Sequence, residues 1–186
     1  MAMGQSKQFL PLLGKPAIVY TLQAFEQAKS VDEIILVCRD EDKEQLNTCV
    51  HMAGITKPVI FTLGGTSRQQ SVFSGVRACA SQTEYIIIHD GARPLITWDL
   101  IEKVTADAFT YGAAALGVPV KDTIKVTNAQ GFATATPDRS TLWAVQTPQV
   151  FEKTSYLSAV KQAIQQEADY TDDCQLMEQL GNQVHL

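Results

Sequence analysis

Short apolar runs alternate with amphipathic segments along most of this chain. The apolar runs 33–38, 58–62, 85–88 and 113–118 contain few polar residues and are bounded by turn or charged residues, which is typical of buried strands. Apolar positions at helical spacing predict helices over 17–29, 41–52, 98–110, 153–167 and 172–180, another helix opens after Gly64–Gly65, and 183–186 begins a further strand. Strands that alternate with helices predict an α/β fold, Rossmann-like, with a mostly parallel sheet flanked by helices.

One region breaks this alternation. Residues 122–127 and 132–136 are β-branched, alternating segments joined by Asn128-Ala129-Gln130-Gly131, which is a hairpin signal with Gly in the turn. The hairpin has few residues able to form a core of its own. We therefore expect one domain over residues 1–186 with an arm over about 120–142, folded over the parent domain or packed on a neighbouring subunit.

Composition narrows the class of protein. The net charge of −5 argues against non-specific nucleic-acid binding, and no apolar run approaches the ~20 residues of a membrane helix. The four cysteines include no Cys-x-x-Cys pair, so neither a zinc site nor a thioredoxin-like motif is indicated. Without a signal peptide, this cysteine usage favours the cytoplasm.

The densest cluster of candidate chemistry is His89-Asp90-Gly91-Ala92-Arg93-Pro94, which directly follows the buried run 85–88. Ligands of open α/β sheets bind outside the carboxyl ends of the strands. There, Asp90 suits a divalent metal and Arg93 suits a phosphate. The alternative is that Asp90 caps the next helix and Arg93 forms a structural ion pair. We expect His89 to be a structural histidine at the strand end, with its ring hydrogen-bonded within the protein, rather than a metal ligand.

A second cluster, Gly64 to Ser71, surrounds a predicted helix start. Two glycines let a ligand approach the backbone, and the helix start offers free N–H groups to an anion or a base edge. Capping of the helix by Thr66 or Ser67 is the structural alternative. Lys7, on a short loop, carries a compact charge suited to polyphosphate oxygens.

The third cluster combines the arm with the segment after it. Thr123 begins the arm, Arg139 ends it, and Thr147 follows in Gln146-Thr147-Pro148-Gln149. Arg139 and Thr147 could bind a second phosphate, although Arg139 could equally pair with Asp138 or Asp122. No Ser-His-Asp or Cys-His set is apparent. An inventory of Lys, Arg, one Asp and a Gly-rich turn suits phosphoryl or nucleotidyl transfer, whose catalysis is mostly positioning and charge neutralisation.

Taken together, these motifs resemble the 2-C-methyl-D-erythritol 4-phosphate cytidylyltransferase family over essentially the whole chain. The motifs that carry the resemblance are Lys7-Gln8-Phe9-Leu10, Gly64-Gly65 through Arg68 to Ser71, Ile88 to Pro94, Val120 to Lys125, Arg139 with Leu142-Trp143, and Gln146 to Gln149. The resemblance implies a fold of the nucleotide-diphospho-sugar transferase type. It also implies CTP and methylerythritol phosphate as substrates, Mg²⁺ as cofactor, and a homodimer in which the arm completes the neighbour's site.

The resemblance further implies a role for each matching residue. Lys7 would neutralise charge on the triphosphate, and Asp90 would organise Mg²⁺ and the attacking phosphate, with Arg93 nearby. The nucleotide-binding residues would be Gly64, Gly65, Arg68, Ser71 and Gly91, with Gly65 and Ser71 at the cytosine and ribose. Thr123, Arg139 and Thr147 would hold the methylerythritol phosphate.

The family pattern also extends beyond the printed sequence. The family opens with a strand and an Ala-Ala-Gly-x-Gly-x-Arg-Met loop, and it carries a C-terminal Asn-x-Lys-Ile/Val-Thr segment. Neither occurs here, so on the resemblance we expect turnover by the chain as printed to be impaired. A ribitol 5-phosphate cytidylyltransferase and a catalytically silent nucleotide-binding homologue are the alternatives.

Overall fold

Strands and helices alternate along the chain in the computed structural model, which describes residues 6–186. The strands are β1 (Pro11–Leu12), β2 (Lys15–Pro16), β3 (Ile34–Cys38), β4 (Val59–Leu63), β5 (Tyr85–Ile88), β6 (Ala113–Pro119), β7 (Val126–Thr127), β8 (Ala133–Ala135) and β9 (Trp143–Glu152). The helices are α1 (Ala17–Gln27), α2 (Lys43–Ala53), α3 (Arg68–Ala78), α4 (Trp98–Tyr111), α5 (Lys153–Gln165) and α6 (Asp173–Gln179). The predicted helices and strands are thus found close to their expected bounds. The predicted C-terminal strand is reduced to a single bridge between His185 and Ala114.

Strand β9 is the longest element that the sequence pattern did not predict, and the short strands β1 and β2 were not predicted either. It runs antiparallel between β5 and β6, whereas β3 and β4 pair in parallel. The connectivity explains the direction. Because the arm leaves β6 and returns directly into β9, the two strands form a long hairpin, and only antiparallel neighbours can be joined without a crossover.

A bulge interrupts β9 in its middle. Between the pairs Ala115 with Gln149 and Gly117 with Val145, the register advances by two residues on β6 but by four on β9. The extra residues belong to the polar segment Gln146-Thr147-Pro148, whose Thr147–Pro148 peptide bond is cis. A bulge redirects side chains away from the regular pleat. The bulge therefore lets the polar segment lie within β9 while the side chains of Gln146 and Thr147 reach the loop at the end of β5.

Three apolar clusters hold the layers together. One joins α1, α2 and β3 around residues such as Val19, Leu22 and Cys49. A second joins β5, β6 and β9 to α5 and α6 around Phe151, Tyr156 and Met177. The third joins α4 to β6 and β9 around Val104 and Val150. Each helix therefore buries one face against a strand layer, as an α/β fold requires. No helix in residues 6–186 is long and apolar enough to cross a membrane.

A cavity of about 1390 Å³ separates the β3–β4 pair from the β5–β9–β6 sheet. Its walls include all of β3 and all of β5, with side chains of α1 and α3 such as Phe25 and Val76. Within the described residues, β3 and β5 are not hydrogen-bonded to one another. The side chains of β3 and β5 give the cavity apolar walls. The loops that follow β3, β4 and β5 line one of its ends, which we call the mouth.

The predicted arm is present as the short β7–β8 hairpin. Val126 pairs with Ala135 and Thr127 with Ala133, in antiparallel register. Asn128 closes the turn, because its side-chain oxygen accepts hydrogen bonds from the backbone N–H groups of Gln130 (3.1 Å) and Phe132 (3.0 Å). Almost every residue of the arm is exposed.

Candidate active site

Polar groups converge where β3, β4 and β5 end, around the mouth of the large cavity. The residues that line this mouth come from four segments: Ser6 and Gln8, Arg39, Gly64 to Ser71, and His89 to Ala92. The topology brings together segments that are far apart in sequence. The carboxyl ends of these strands therefore meet at the edge where ligands of open α/β sheets usually bind.

The loop after β5 carries a carboxylate and a guanidinium in contact. Arg93 Nε donates to Asp90 Oδ2 at 2.9 Å, and the Arg93 guanidinium also donates to the side-chain oxygen of Gln146 from the β9 bulge. Asp90 and Arg93 remain 43% and 44% exposed, so a ligand in the mouth can reach both groups. The ion pair that was the structural alternative for Arg93 therefore exists. It forms with Asp90 itself, at the mouth of the cavity.

Residues from β9 and α1 fix the position of this loop. The Asp90 N–H donates to Thr147 Oγ1 (3.2 Å), and Thr147 Oγ1 lies 3.0 Å from His89 Nδ1. On the other side, the hydroxyl of Thr21 donates to the carbonyl of Gly91 (3.2 Å). The loop also packs closely on α1, because a Cβ on Gly91 would lie 3.3 Å from Ile18 Cδ1, a tight contact. The loop is therefore clamped between β9 and α1.

His89 completes the clamp from within the loop. Its Nε2 lies 3.2 Å from the carbonyl oxygen of Arg93, and its ring packs against Phe25 with centroids 5.3 Å apart. Burial lowers the pKa of His89, and its hydrogen bond to Arg93 and the charge of Asp90 only partly oppose the shift. The expectation of a satisfied strand-end histidine is therefore confirmed.

The segment Gly64 to Ser71 forms a tight turn into α3. Ser71 Oγ accepts from the Gly65 N–H (3.0 Å) and donates to the Ser67 carbonyl (2.8 Å). A Cβ on Gly65 would collide with Gln70, so this position accepts only glycine without rearrangement. The Ser67 side chain accepts from the Gln70 N–H (3.2 Å) and caps α3, as the structural alternative predicted. The helix N-terminus nevertheless faces the cavity mouth.

Arg68, the first residue of α3, is held by a buried carboxylate. Its guanidinium forms an ion pair with Asp173, whose side chain is 2% exposed and also accepts from the Tyr156 hydroxyl at 2.6 Å. Burial alone would lower the pKa of Arg68, but the charge and hydrogen bond of Asp173 raise it above its ordinary value. The charge of Asp90 raises the Arg68 pKa further, so a positive charge stays at the mouth beside Asp90.

Three predicted site residues lie apart from this constellation. Lys7 is exposed in a short 3-10 helix, between two residues that line the mouth. Thr123 and Arg139 are exposed on the arm, and Arg139 donates to the Lys121 carbonyl (3.1 Å) rather than pairing with Asp138 or Asp122. Within residues 6–186, no hydrogen bond or ion pair joins Thr123 or Arg139 to the Asp90 loop.

The donor set at the mouth suits a weakly held hard cation. No group of three His, Cys, Asp or Glu side chains in the described part of the chain is arranged to enclose a metal. Mg²⁺ does not require such a group, because it usually binds through one or two carboxylates plus substrate phosphates and keeps several waters. A single exposed carboxylate at Asp90 fits this requirement.

The fold and the residues at the cavity mouth are those of an α/β nucleotidyltransferase. These residues form a Gly-rich turn into a helix, a strand-end carboxylate and two arginines around one opening. The family model for 2-C-methyl-D-erythritol 4-phosphate cytidylyltransferase matches residues 1–186. The chain therefore belongs to that family, as its motifs indicated.

Named relatives and solved structures agree with this assignment. Proteins named 2-C-methyl-D-erythritol 4-phosphate cytidylyltransferase from Synechococcus elongatus and Caldanaerobacter subterraneus are each 42% identical over 182 residues. These alignments cover 98% and 97% of this chain and 78% and 80% of the relatives. The crystal structure of 4-diphosphocytidyl-2C-methyl-D-erythritol synthase from Anaerococcus prevotii superposes with a TM-score of 0.90 at 28% identity, covering 98% of this chain and 80% of that one. The enzyme from Thermus thermophilus gives 0.77 at 28% identity, covering 100% and 84%.

Sequence reasoning missed three residues that support the site. Thr21 and Gln146 contact the Asp90 loop, and Asp173 holds Arg68. Thr21 and Gln146 carried no separate signal, because each lies in a segment with another evident role. Asp173 follows Asp172, whose side chain caps α6. A second acid directly after a helix cap was the available sign that one carboxylate had another partner.

Proposed function

We propose that this chain transfers a cytidylyl group from CTP to 2-C-methyl-D-erythritol 4-phosphate in non-mevalonate isoprenoid biosynthesis. A phosphate oxygen of the acceptor would attack the α-phosphorus of CTP. The bond from the α-phosphorus to the bridging oxygen would break, and pyrophosphate would leave. The observation that carries the proposal is the Asp90–Arg93 pair at the same opening as the Gly64–Ser71 turn and Arg68. We place the reaction in the cytoplasm, in keeping with the four free cysteines.

CTP would bind at the α3 side of the mouth. The absence of side chains at Gly64 and Gly65 lets a base edge approach the backbone closely, while their N–H groups donate to Cys38 and Ser71 and hold the turn in shape. The positive end of α3 and the charge of Arg68 favour a phosphate chain nearby. Lys7 and the Gly91 backbone would complete the nucleotide site from the opposite rim.

Asp90 would act at the reacting phosphates. Mg²⁺, when bound with the nucleotide, supplies neutralising charge to the phosphate oxygens. In the structure Arg93 pairs with the Asp90 carboxylate, so the loop presents a positive and a negative group side by side to the reacting phosphates. The acceptor phosphate is largely dianionic near neutral pH, so the attack needs no general base. This agrees with a site that offers charge and positioning rather than a His-based dyad.

The methylerythritol phosphate would be bound by Thr123 and Arg139 of a neighbouring subunit's arm, while Thr147 would support the Asp90 loop from β9. The arm presents exposed apolar side chains, namely Ile124 (39%), Val126 (47%) and Phe132 (72%), although it has no core of its own. Such a surface favours a homodimer. Sedimentation of the chain should show a dimer, and deletion of residues 128–134 should weaken it. A monomer at high micromolar concentration would contradict the proposed arm exchange.

The decisive experiment compares acceptor substrates. Pyrophosphate release from CTP is measured with 2-C-methyl-D-erythritol 4-phosphate and, in parallel, with ribitol 5-phosphate. We expect release with the first substrate and little with the second. A preference for ribitol phosphate would replace the proposed acceptor, and CTP binding without release in either case would indicate a silent homologue.

A further inference from the structure

Two hydrogen bonds tie the imidazole of His89 to the two ends of the Asp90–Arg93 turn. Through Thr147 Oγ1, Nδ1 is linked to the Asp90 N–H, and Nε2 lies 3.2 Å from the Arg93 carbonyl oxygen. The turn also closes on itself, because the Arg93 N–H donates to the Asp90 carbonyl at 3.0 Å. His89 therefore contacts both ends of the segment that presents Asp90 and Arg93.

The protons on these atoms can be assigned by counting donors and acceptors. The Asp90 N–H can only donate, so it occupies a lone pair of Thr147 Oγ1. Thr147 is 8% exposed, and within the described residues its hydroxyl proton has only His89 Nδ1 as acceptor. Nδ1 must then be unprotonated. Nε2 carries the ring proton of the neutral imidazole and donates it to the Arg93 carbonyl.

The other neutral tautomer fails at both nitrogens. A proton on Nδ1 would leave the Thr147 hydroxyl proton without a partner in a buried position. It would also set the bare Nε2 against the Arg93 carbonyl oxygen at 3.2 Å, two acceptors with no proton between them. Of the two neutral tautomers, only the Nε2–H ring gives a continuous chain of donors: Asp90 N–H to Thr147, Thr147 to His89, and His89 to Arg93.

We infer that His89, held by Thr147 as the neutral Nε2–H tautomer, is a positioning residue that fixes the Asp90–Arg93 turn for catalysis. The inference rests on the proposed function for its kinetic consequence, but not for the tautomer itself. Thr147 then has no proton left to offer a substrate phosphate, so its contribution is made through His89 and Asp90. The sequence pattern had placed Thr147 in direct contact with the phosphate.

The tautomer can be measured without any assay of activity. The chain contains three histidines, so imidazole ¹⁵N shifts of the histidine-labelled protein give three pairs of ring signals, and His89→Gln identifies one pair. We expect the His89 ring to be neutral near pH 7, with the proton on Nε2. Thr147→Val should convert it to a mixture of tautomers, whereas Thr147→Ser, which keeps the hydroxyl, should restore the original pattern. An Nδ1–H ring in the parent protein, or no change in Thr147→Val, would overturn the inference.

Kinetics separate positioning from direct contact with the phosphate. A loop displaced by about 1 Å costs roughly 10² in rate, so Thr147→Val should lower kcat by about that factor and leave both KM values nearly unchanged. Thr147→Ser should recover most of the loss. A rise in KM for the acceptor phosphate, with kcat preserved, would instead assign Thr147 to substrate binding and refute the positioning role. If no variant and no parent protein releases pyrophosphate, the proposed function fails, while the ¹⁵N experiment still tests His89.

Discussion

The Asp90 loop leads from β5 to α4 and the arm leads from β6 to β9, and these two polar segments are held in opposite ways. The side-chain hydrogen bonds that fix the loop come from residues far away in sequence, such as Thr147, 57 positions from Asp90, and Thr21, 70 positions from Gly91. In the arm, the side-chain hydrogen bonds of residues 121–141, as far as the structure describes them, all close within that range.

This difference separates two kinds of functional segment. A loop clamped from several elements keeps its charged groups in one arrangement, which preorganised electrostatic catalysis requires. A segment that bonds only to itself keeps its own shape but can move as a unit relative to the domain. The arm is therefore suited to docking, and the Asp90 loop to chemistry. Four predictions test this contrast, from the largest expected effect to the smallest.

Asp90→Asn should lower kcat by ~10²–10³ while the protein stays folded, because a preorganised charge at the reacting phosphates is lost. Pyrophosphate release and a thermal melt measure the two quantities. The matched control is Asp107→Asn. It removes another half-exposed carboxylate, which lies on α4 and pairs with His185. Near-normal turnover by Asp90→Asn would show that the clamped loop is not the reactive element.

Arg68→Met should destabilise the fold by about 3 kcal/mol, since it leaves the buried Asp173 carboxylate without its cation. Arg77→Met, on the exposed face of the same helix, removes only a contact over the Phe73 ring and should cost less than about 1 kcal/mol. Urea unfolding of both variants gives the comparison. Equal losses would mean that the Asp173 contact does not anchor α3.

The free energy of unfolding should fall on acidification because of His89. Its folded-state pKa lies below the unfolded value of about 6.5, so the unfolded chain binds more protons as the pH drops past that value. The stabilisation is complete above this range and is lost as pH falls toward the folded pKa. Urea unfolding near pH 7.5 and near pH 5.5 measures it. His89→Gln should show a smaller decrease than the parent, and an identical decrease would place the pH dependence elsewhere.

Asn128→Ala should change global stability by less than about 0.5 kcal/mol, because the turn that it opens bonds only within the arm. Hydrogen exchange should quicken at β7 and β8 but not at β9. Faster exchange in β9 would show that the arm and the clamped loop form one cooperative unit, and the contrast between them would then disappear.

What the sequence determined on its own is local. The apolar runs located the strands β3 to β6, helical spacing located the helices, and the Asn128–Gly131 turn located the hairpin, because these features depend on neighbours within a few residues. Motif spacing identified the family and placed Asp90, Arg93 and Gly65 in loops at strand ends, with Ser71 in the first turns of the helix after Gly65.

Only the tertiary structure decided which distant groups meet. The polar segment 146–149 reads as a loop, yet it lies in β9, because pairing with β5 and β6 outweighs its weak local preference for a strand. The contacts of Thr147 with His89 and of Asp173 with Arg68 join elements 58 and 105 residues apart. No local pattern encodes such contacts, since they are set by strand order, the β9 bulge and the packing of α3 and α6 on α5.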